Sequence, residues 1–554
     1  MFKDQQTRGN MINIDSSIDI PSLLSGLPER LCAIPRHWAA RTPDAVALCD
    51  GALRWTYAQL SAGVDAAAQT LHELGVRPGD RLMVVGENCA AQVALTFAAA
   101  AIDAWIVHVN SRLSNLEVDA IKRHSGARRV LYTVAGGPHG ARSNATPVPF
   151  FPPDAMWSDL LVGPLNDACV AEPVATSNAL QVAALIYTTG TTGSPKGVML
   201  SHRNLLFIAA VSSTLRGLHS DDRAYGVLPI SHVYGLASVM LGTLHAGACL
   251  YLAPRFSPDT LLASLQNDSL TILQGVPAMY ARLRDATASS APLASKLRFI
   301  YAGGSPLDPG LKSAIEQLMG LPLHNGYGMT ESAPTISQTR LHAPRTDTSV
   351  GLTIPGVEVR LADQNGGAAQ PGAAGELWVR GPNVMLGYYR APDLTTATMR
   401  DGNWLNTGDI ARQDPDGALF IVGRTKEIII RSGFKVYPLE IETVLNAHPA
   451  VLQCAVVGRL GADGNEEVIA FVELDRGNSV KLRINASVAE LQAHLALALA
   501  PYKCPSELIV LDALPAAATG KILKHRLRQL AQQGCADIQT EILTEMQTEI
   551  LTKA

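Results

Sequence analysis

Hydrophobic and polar positions along this chain follow two rhythms, one of helical and one of strand period, and the switches between them mark its elements. Residues 1–28 mix polar positions with short apolar pieces and are expected to form a loosely held arm. Leu31, Ile34 and Trp38 then fall at helical spacing within 29–40, where Pro35 can kink or split the helix. Arg41-Thr-Pro-Asp44 reads as a turn, residues 46–49 and 53–55 as a hairpin about Asp50-Gly51, and Thr56 as the cap of a helix opening at Tyr57. From there apolar runs such as 81–85 alternate with helical stretches such as 88–101, the pattern of a parallel sheet covered by helices. Residues 90–110 are apolar enough to raise the question of a membrane helix. Gln92, Asp103 and His108 interrupt them, and a buried helix followed by a strand is the better reading. The Pro-, Gly- and Ser-rich stretch 136–153 is expected to be a surface excursion.

Composition narrows the class. At 554 residues the chain is too long for one ordinary core and should divide into at least two domains. With 47% hydrophobic and 17% charged residues it reads as a soluble globular enzyme, and a net charge of -4 without a Lys/Arg run speaks against nucleic acid. Eight scattered cysteines form no Cys-x-x-Cys pair and read as small buried side chains in a reducing compartment. The opening residues lack the basic and apolar regions of a secretory signal, so a cytoplasmic location follows by default, with no integral membrane segment.

The densest chemistry lies in Tyr187-Thr-Thr-Gly-Thr-Thr-Gly-Ser-Pro-Lys-Gly197, entered from the apolar run 182–186. Gly190, Gly193 and Gly197 let the backbone approach a ligand, while Thr188, Thr189, Thr191, Thr192 and Ser194 supply hydroxyls and Lys196 a positive charge. Together they describe a phosphate cradle. It is not the P-loop of ordinary NTPases: counted from Gly190, the second Gly position holds Pro195, and Lys196 is followed by Gly197. The plainer alternative is a solvent loop that happens to be rich in Gly and Thr.

Further motifs follow in order. His232 and Tyr234 sit in the apolar segment 228–235, where a lone His would more often be structural. A strand at 299–302 runs into Gly303 and Gly304, small residues against which a flat ligand can lie. In Asn325-Gly-Tyr-Gly-Met-Thr-Glu331, Tyr327 has a face for adenine, Thr330 a hydroxyl for a phosphate, and Glu331 a hard oxygen for Mg²⁺. Asp409 has the acceptor geometry to hold two ribose hydroxyls, and Arg424 can reinforce it. Near the end, a Pro/Ala/Gly loop presents Lys521.

The phosphate loop with its continuation to Asn204, followed by these motifs in this order, resembles the adenylate-forming enzymes over about 500 residues. That family includes acyl-CoA synthetases, aryl-CoA ligases, luciferase and peptide-synthetase adenylation domains. The resemblance implies an α/β fold, with a large N-terminal domain of α/β layers (29–425) and a smaller mobile α+β C-terminal domain (426–534) hinged at Lys426, then a tail (535–554) carrying a near repeat. It implies a nucleotide site of Thr188, Thr189, Gly190, Thr191, Thr192, Gly193, Lys196, Gly303, Gly304, Asn325, Gly326, Tyr327, Gly328, Met329, Thr330, Asp409 and Arg424. Catalysis is expected from Lys521, Glu331 and His232, and Mg²⁺ on Glu331 and Thr192. His232, Val233, Tyr234, Gly235, Gly303, Ser332 and Ala333 would line the acid pocket, and Ser432, Gly433 and Lys435 would meet CoA.

The implied activity joins a carboxylic acid, ATP and CoA through an acyl-adenylate. A carrier-protein thiol is the alternative acceptor, and a silent nucleotide-binding scaffold the reading from another class. None of the pocket stretches 233–240, 302–304 and 332–335 contains Lys or Arg, which argues for a monocarboxylic acid with an apolar body. Ile430, where plant aryl-CoA ligases and luciferase carry Lys, looks more like fatty acyl-CoA synthetases.

Overall fold

The computed structural model describes residues 18–133, 139, 145–148, 160–189, 195–287, 293, 295–363, 365–432, 434–461, 465–474, 487–516 and 522–533. The tail repeat, Lys521, Gly433 and residues 190–194 lie outside them, as does the side chain of Thr189.

The two predicted rhythms build two large sheets. One has nine strands, whose middle (Val46–Asp50, Arg223–Gly226, Cys249–Leu252, Ile272–Gly275, Phe299–Ala302 and Leu323–Gly328) is joined by parallel pairings. The other has eight, with Arg81–Gly86, Trp105–Asn110 and Arg129–Tyr132 parallel at its centre. Both are covered by helices, so their strands read as nearly continuous apolar runs. The segment 90–110 is a buried helix, Ala90–Ala101, and then the strand Trp105–Asn110. Asp50, at the end of the first hairpin strand, caps that helix by accepting from the Ala90 N–H at 2.9 Å. Thr56 caps the helix Tyr57–Glu73 in a reciprocal capping box with Gln59. No helix among the described residues is long and apolar enough to cross a membrane.

The N-terminal expectations need correction at two points. Residues 20–26 of the supposed arm form the helix Ile20–Gly26, and Ile20 packs beside Phe207 at Gly356. The chain just after it is tied down too: Arg30 pairs with Asp103 at 2.5 Å and donates to the Ala175 and Thr176 carbonyls, while Glu29 accepts from the Asn178 N–H. The helix expected over 29–40 begins at Ala33, which puts Pro35 in its first turn, where the missing N–H costs no hydrogen bond.

Beyond Arg424 a separate three-stranded sheet, Val451–Leu460, Glu466–Leu474 and Glu507–Leu511, carries its own cores. Val456, Val468, Ala470 and Val472 face one cluster with Ile441 and Leu491, whereas Ala455, Val457, Ile469 and Phe471 face another with Leu527. This alternation is the strand period turning both faces inward. A second, smaller hydrophobic unit is thus built from the last quarter of the chain.

Two histidines are sealed in the large unit. His202 opens the helix His202–Leu215 behind the Ser201–Asn204 capping box, and its Nδ1 accepts from the Leu31 N–H at 3.2 Å. His108 meets the Thr96 hydroxyl at 2.8 Å. Burial takes each down to about 3. Both stay neutral when folded but gain a proton near pH 6.5 when unfolded, so their contribution is complete above that pH and is lost as pH falls towards about 3. The slope approaches about 1.4 kcal/mol per pH unit for each group only well below pH ~6.5, so the pair should cost about 2.7 kcal/mol between pH ~7.5 and ~5.5. Urea midpoints at pH ~7.5 and ~5.5 check this. The slope should be shallower in His202→Asn, and pH-independent midpoints would contradict it.

Candidate active site

The antiparallel pair Trp404–Gln413 and Leu419–Arg424 sets Asp409 directly opposite Arg424. That register brings Arg424 Nε to 2.9 Å from Asp409 Oδ1. Tyr327, on Leu323–Gly328, donates its hydroxyl to Asp409 Oδ2 at 2.5 Å. A buried carboxylate is therefore held between a phenol and a guanidinium, with its own N–H donating to the Thr407 hydroxyl at 3.1 Å. Burial, and then the Asp409 charge, push the Tyr327 phenol well above its ordinary value, so it remains a donor. Burial works against the Arg424 charge, but Asp409, Glu427 and Tyr327 together hold it above its ordinary value. The Tyr327 ring is anchored at its hydroxyl end, the orientation a stacking platform needs.

The glycines of this motif are required by close approach. A Cβ on Gly326 would stand 1.7 Å from the Tyr301 hydroxyl, and one on Gly328 would stand 1.6 Å from the Pro334 carbonyl oxygen. Asn325 uses its side chain on the backbone, donating to the Thr348 and Ser349 carbonyls at 3.2 Å each and accepting from the Gly326 N–H. Its main chain is engaged as well, the N–H donating to the Thr339 hydroxyl at 3.0 Å and the carbonyl accepting from the Thr339 N–H at 2.9 Å. Met329 and Ser332 close the following turn on the Pro334 carbonyl, with Thr330 buried between them.

Glu331 is 8% exposed, and its Oε1 accepts from the Tyr388 hydroxyl at 2.7 Å. Tyr388 sits on the short strand Gly387–Tyr388, which pairs with Pro195–Ser201. On that same strand Lys196 faces Thr188 across the hairpin, with its Nζ 6.0 Å from the Tyr388 ring centre. Tyr388 thus joins the rim of the phosphate loop to Glu331, and sequence reasoning missed it. Leu386-Gly-Tyr-Tyr389 shows only adjacent aromatics after a glycine, which does not single out a partner for the Tyr388 hydroxyl. Burial and then Glu331 push the Tyr388 phenol well up. Among the described residues Glu331 is met by this neutral hydroxyl and forms no ion pair with a cation. A buried carboxylate in that state fits a hard divalent ion such as Mg²⁺.

The residues expected to line an acid pocket gather around a π-helix, Tyr234–Leu241, entered through Val233. Gly235 is crowded by the Pro229 and Leu228 carbonyls, which a Cβ would meet at 2.1 and 2.5 Å. The buried Tyr234 ring lies against Gly303 and edge-on to Tyr301, with ring centres 6.3 Å apart. Gly304 follows with φ 85°. His232 is exposed at the helix entrance, its Nδ1 accepting from the Tyr234 N–H at 3.2 Å. Ser332 turns its hydroxyl back onto the Met329 and Pro334 carbonyls, and Ala333 is fully buried.

The three stretches 233–240, 302–304 and 332–335 hold no Lys or Arg, but Arg216, from the end of the helix His202–Leu215, stands with its guanidinium carbon 4.4 Å from the Tyr301 ring centre, a cation those stretches do not reveal.

On the smaller unit, Ile429–Arg431 and Phe434–Val436 form a hairpin whose hydrogen bonds go to its own domain: Ser432 N–H to Asn465, Arg431 to the Tyr502 and Cys504 carbonyls. Ser432 has φ 51°, and Lys435 and Ile430 are exposed. Ile430 projects from this hairpin into solvent. Lys426 is exposed in the short turn Thr425–Glu427. Next to it Lys524 bridges Glu427 and Glu442, both at 2.8 Å. A cavity of about 270 Å³ elsewhere, lined by Arg340, Arg345 and Asp416, contains none of the predicted residues, and its Arg345 is paired with Asp347 and Asp416.

Comparison with known proteins agrees with this geometry. The profile described as AMP-binding enzyme matches residues 35–389, and that described as AMP-binding enzyme C-terminal domain matches residues 440–521. A feruloyl-CoA synthase of Amycolatopsis sp is 35% identical over 502 residues, spanning 89% of this chain and 98% of its own. The indoleacetate–CoA ligase of Aromatoleum aromaticum is 33% identical over 516 residues, spanning 90% and 97%. Among solved structures, the o-succinylbenzoate CoA synthetase of Bacillus subtilis in complex with its acyl-adenylate superimposes with a TM-score of 0.76 at 27% identity, covering 89% of this chain and 97% of that one. Matched over most of its length and by relatives aligned nearly end to end, the chain belongs to the AMP-binding enzymes, and among them to the acyl-CoA synthetases.

Proposed function

We propose that the chain converts an organic acid with an apolar, aromatic-sized body first to its acyl-adenylate, releasing pyrophosphate, and then to its CoA thioester. The observation that carries this reading is the convergence of Asp409, Arg424 and Tyr327 in one cluster and of Glu331, Tyr388 and Lys196 in a second, from segments far apart in sequence. A carboxylate is a poor acyl donor because its charge is delocalised, so it must attack the α-phosphorus of ATP in line as pyrophosphate leaves. Little proton transfer is needed, and the protein mainly positions anions and offsets growing charge. Asp409 accepts the ribose hydroxyls, the Tyr327 ring supports adenine, and Lys196 with the hydroxyls of its loop holds the phosphates. Glu331 and Thr192 would hold Mg²⁺, which when bound offsets the charge of the departing pyrophosphate. Tyr234, Tyr301 and Val276 beside Gly303 and Gly304 suit a flat acid body, and the aromatic acids in the relatives' names support that preference.

Exchange of labelled pyrophosphate into ATP across a panel of acids tests the first step; no exchange with any acid would end the reading. Thioester formation with CoA and with a carrier protein supplied separately tests the acceptor. Within this reading Lys426 is the hinge about which the small domain brings Ser432, Gly433 and Lys435 to the adenylate. Lys426→Pro is expected to leave pyrophosphate exchange within about threefold of wild type and to lower CoA thioester formation by at least about a hundredfold. Unaffected CoA transfer would refute the hinge role.

A further inference from the structure

Behind the acid wall lies a polar group whose hydrogen bonds are incomplete. Arg216 is 2% exposed, at the C-terminal end of the helix His202–Leu215, whose Ser212 hydroxyl donates to that of Thr335 at 3.5 Å. Its Nη1 donates to Gln274 Oε1 at 2.7 Å, and its guanidinium lies over Tyr301. Nε and Nη2 are buried without a hydrogen-bond partner. The strand register sets Gln274 opposite Tyr301 and Gly326 opposite Gln338. The Tyr301 hydroxyl fills the place of a Gly326 side chain, so these residues share one face of the sheet beside the guanidinium. Gln274 Nε2, both ends of the Gln338 amide and the Tyr234 hydroxyl are likewise buried and unpartnered. One orphaned polar atom is an ordinary imperfection. A buried cationic donor fork with two unpartnered nitrogens, over Tyr301 and on the sheet face that also carries the unpartnered Gln274 Nε2 and Gln338 amide, suits an accepting oxygen.

We infer that Arg216 is a specificity-determining residue that receives an anionic or strongly accepting oxygen, a second carboxylate or a ring oxygen, at the end of the substrate acid remote from the carboxylate that reacts. The remoteness follows from topology. Gly303 and Gly304 leave the C-terminal edge of the strand Phe299–Ala302, where the nucleotide is expected, and Tyr301 lies deeper in the sheet. This rests on the acid pocket of the proposed function and adds the chemistry of its far end. Gln274 and Gln338 complete the oxygen's partners, and the Tyr301 face keeps the guanidinium in plane.

The test uses the full-length protein and matched pairs of acids: a dicarboxylic acid against its monomethyl ester, and a ring-hydroxylated aryl acid against the unsubstituted one. Wild type should favour the oxygenated member of at least one pair in kcat/KM by roughly tenfold to a thousandfold, the discrimination available to a site built around a buried polar partner. Which pair responds distinguishes carboxylate from ring oxygen. Arg216→Met should raise KM for that member at least about tenfold and leave the unsubstituted acid within about twofold, and Arg216→Lys should restore part of the preference. Equal losses on both members, or a wild type that favours the unsubstituted acid in both pairs, would overturn the inference. The wild-type comparison stands even where a variant does not fold. If no acid supports pyrophosphate exchange, the proposed function itself has failed; exchange without preference sinks this inference alone.

Discussion

Lys521→Ala is expected to slow acyl-adenylate formation by about a hundred- to a thousandfold while leaving thioester formation from a supplied adenylate nearly intact. The first step brings a carboxylate against a phosphate, two anions that repel until a cation spans them. One preorganised charge at such a site commonly contributes about 3 to 4 kcal/mol to the transition state. Lys521 itself lies outside the described residues, but both flanks of its loop are fixed. Ala516 bridges to Ile522, the Leu523 N–H donates to the Pro515 carbonyl at 2.8 Å, and Leu514 is buried in the small domain's core. Immediately after it, Lys524 is locked to Glu427 and Glu442, next to the turn that carries Lys426. The loop base therefore belongs to the small domain, which under the proposed rotation would carry a lysine needed in only one half-reaction. Pyrophosphate exchange measures the first step, and single-turnover thioester formation from synthetic adenylate measures the second. Equal losses in both would count against the assignment.

What could be read from sequence, and what could not, follows the range of the contacts involved. Thr56, the Asp50-Gly51 hairpin and the split of residues 90–110 into helix and strand depend on neighbours within a few residues, and the pattern carries them. Asp409 and Arg424 were legible as a pair because a single antiparallel hairpin places them opposite each other. Tyr388 meets Glu331 across 57 positions. Nothing local in the segment around Tyr388 says that its hydroxyl will face a carboxylate. Arg216 was hidden for the same reason: it ends a helix, and only the sheet register brings Gln274 and Tyr301 beneath it. Asn325 shows the converse, a residue matched by motif whose side chain proves to brace the backbone at Thr348 and Ser349. Motif spacing identifies positions, whereas the hydrogen-bond partners decide which atoms of a position remain for a ligand.

Asp409→Ala carries the second large effect, and its signature separates a ribose contact from a merely structural one. In the folded chain the carboxylate satisfies the Tyr327 hydroxyl and the Arg424 guanidinium at once. Hydrogen bonds to a charged group contribute about 1.5 to 3 kcal/mol each, so losing the acceptor of two ribose hydroxyls should raise KM for ATP by at least about a hundredfold. Asp409→Asn keeps one acceptor oxygen and should cost about tenfold. Because Tyr327 would lose its anchor as well, some of either loss could come from a misplaced adenine platform, and KM alone does not separate the two. The 2′-deoxy and 3′-deoxy analogues of ATP do. Wild type should prefer ATP over each by roughly tenfold or more, and Asp409→Ala should treat all three alike, since the group that read the missing hydroxyl is gone. A variant that binds ATP weakly but still discriminates against the deoxy analogues would show that Asp409 serves only to hold Tyr327 and Arg424 in place, and the ribose contact would have to be sought on another strand.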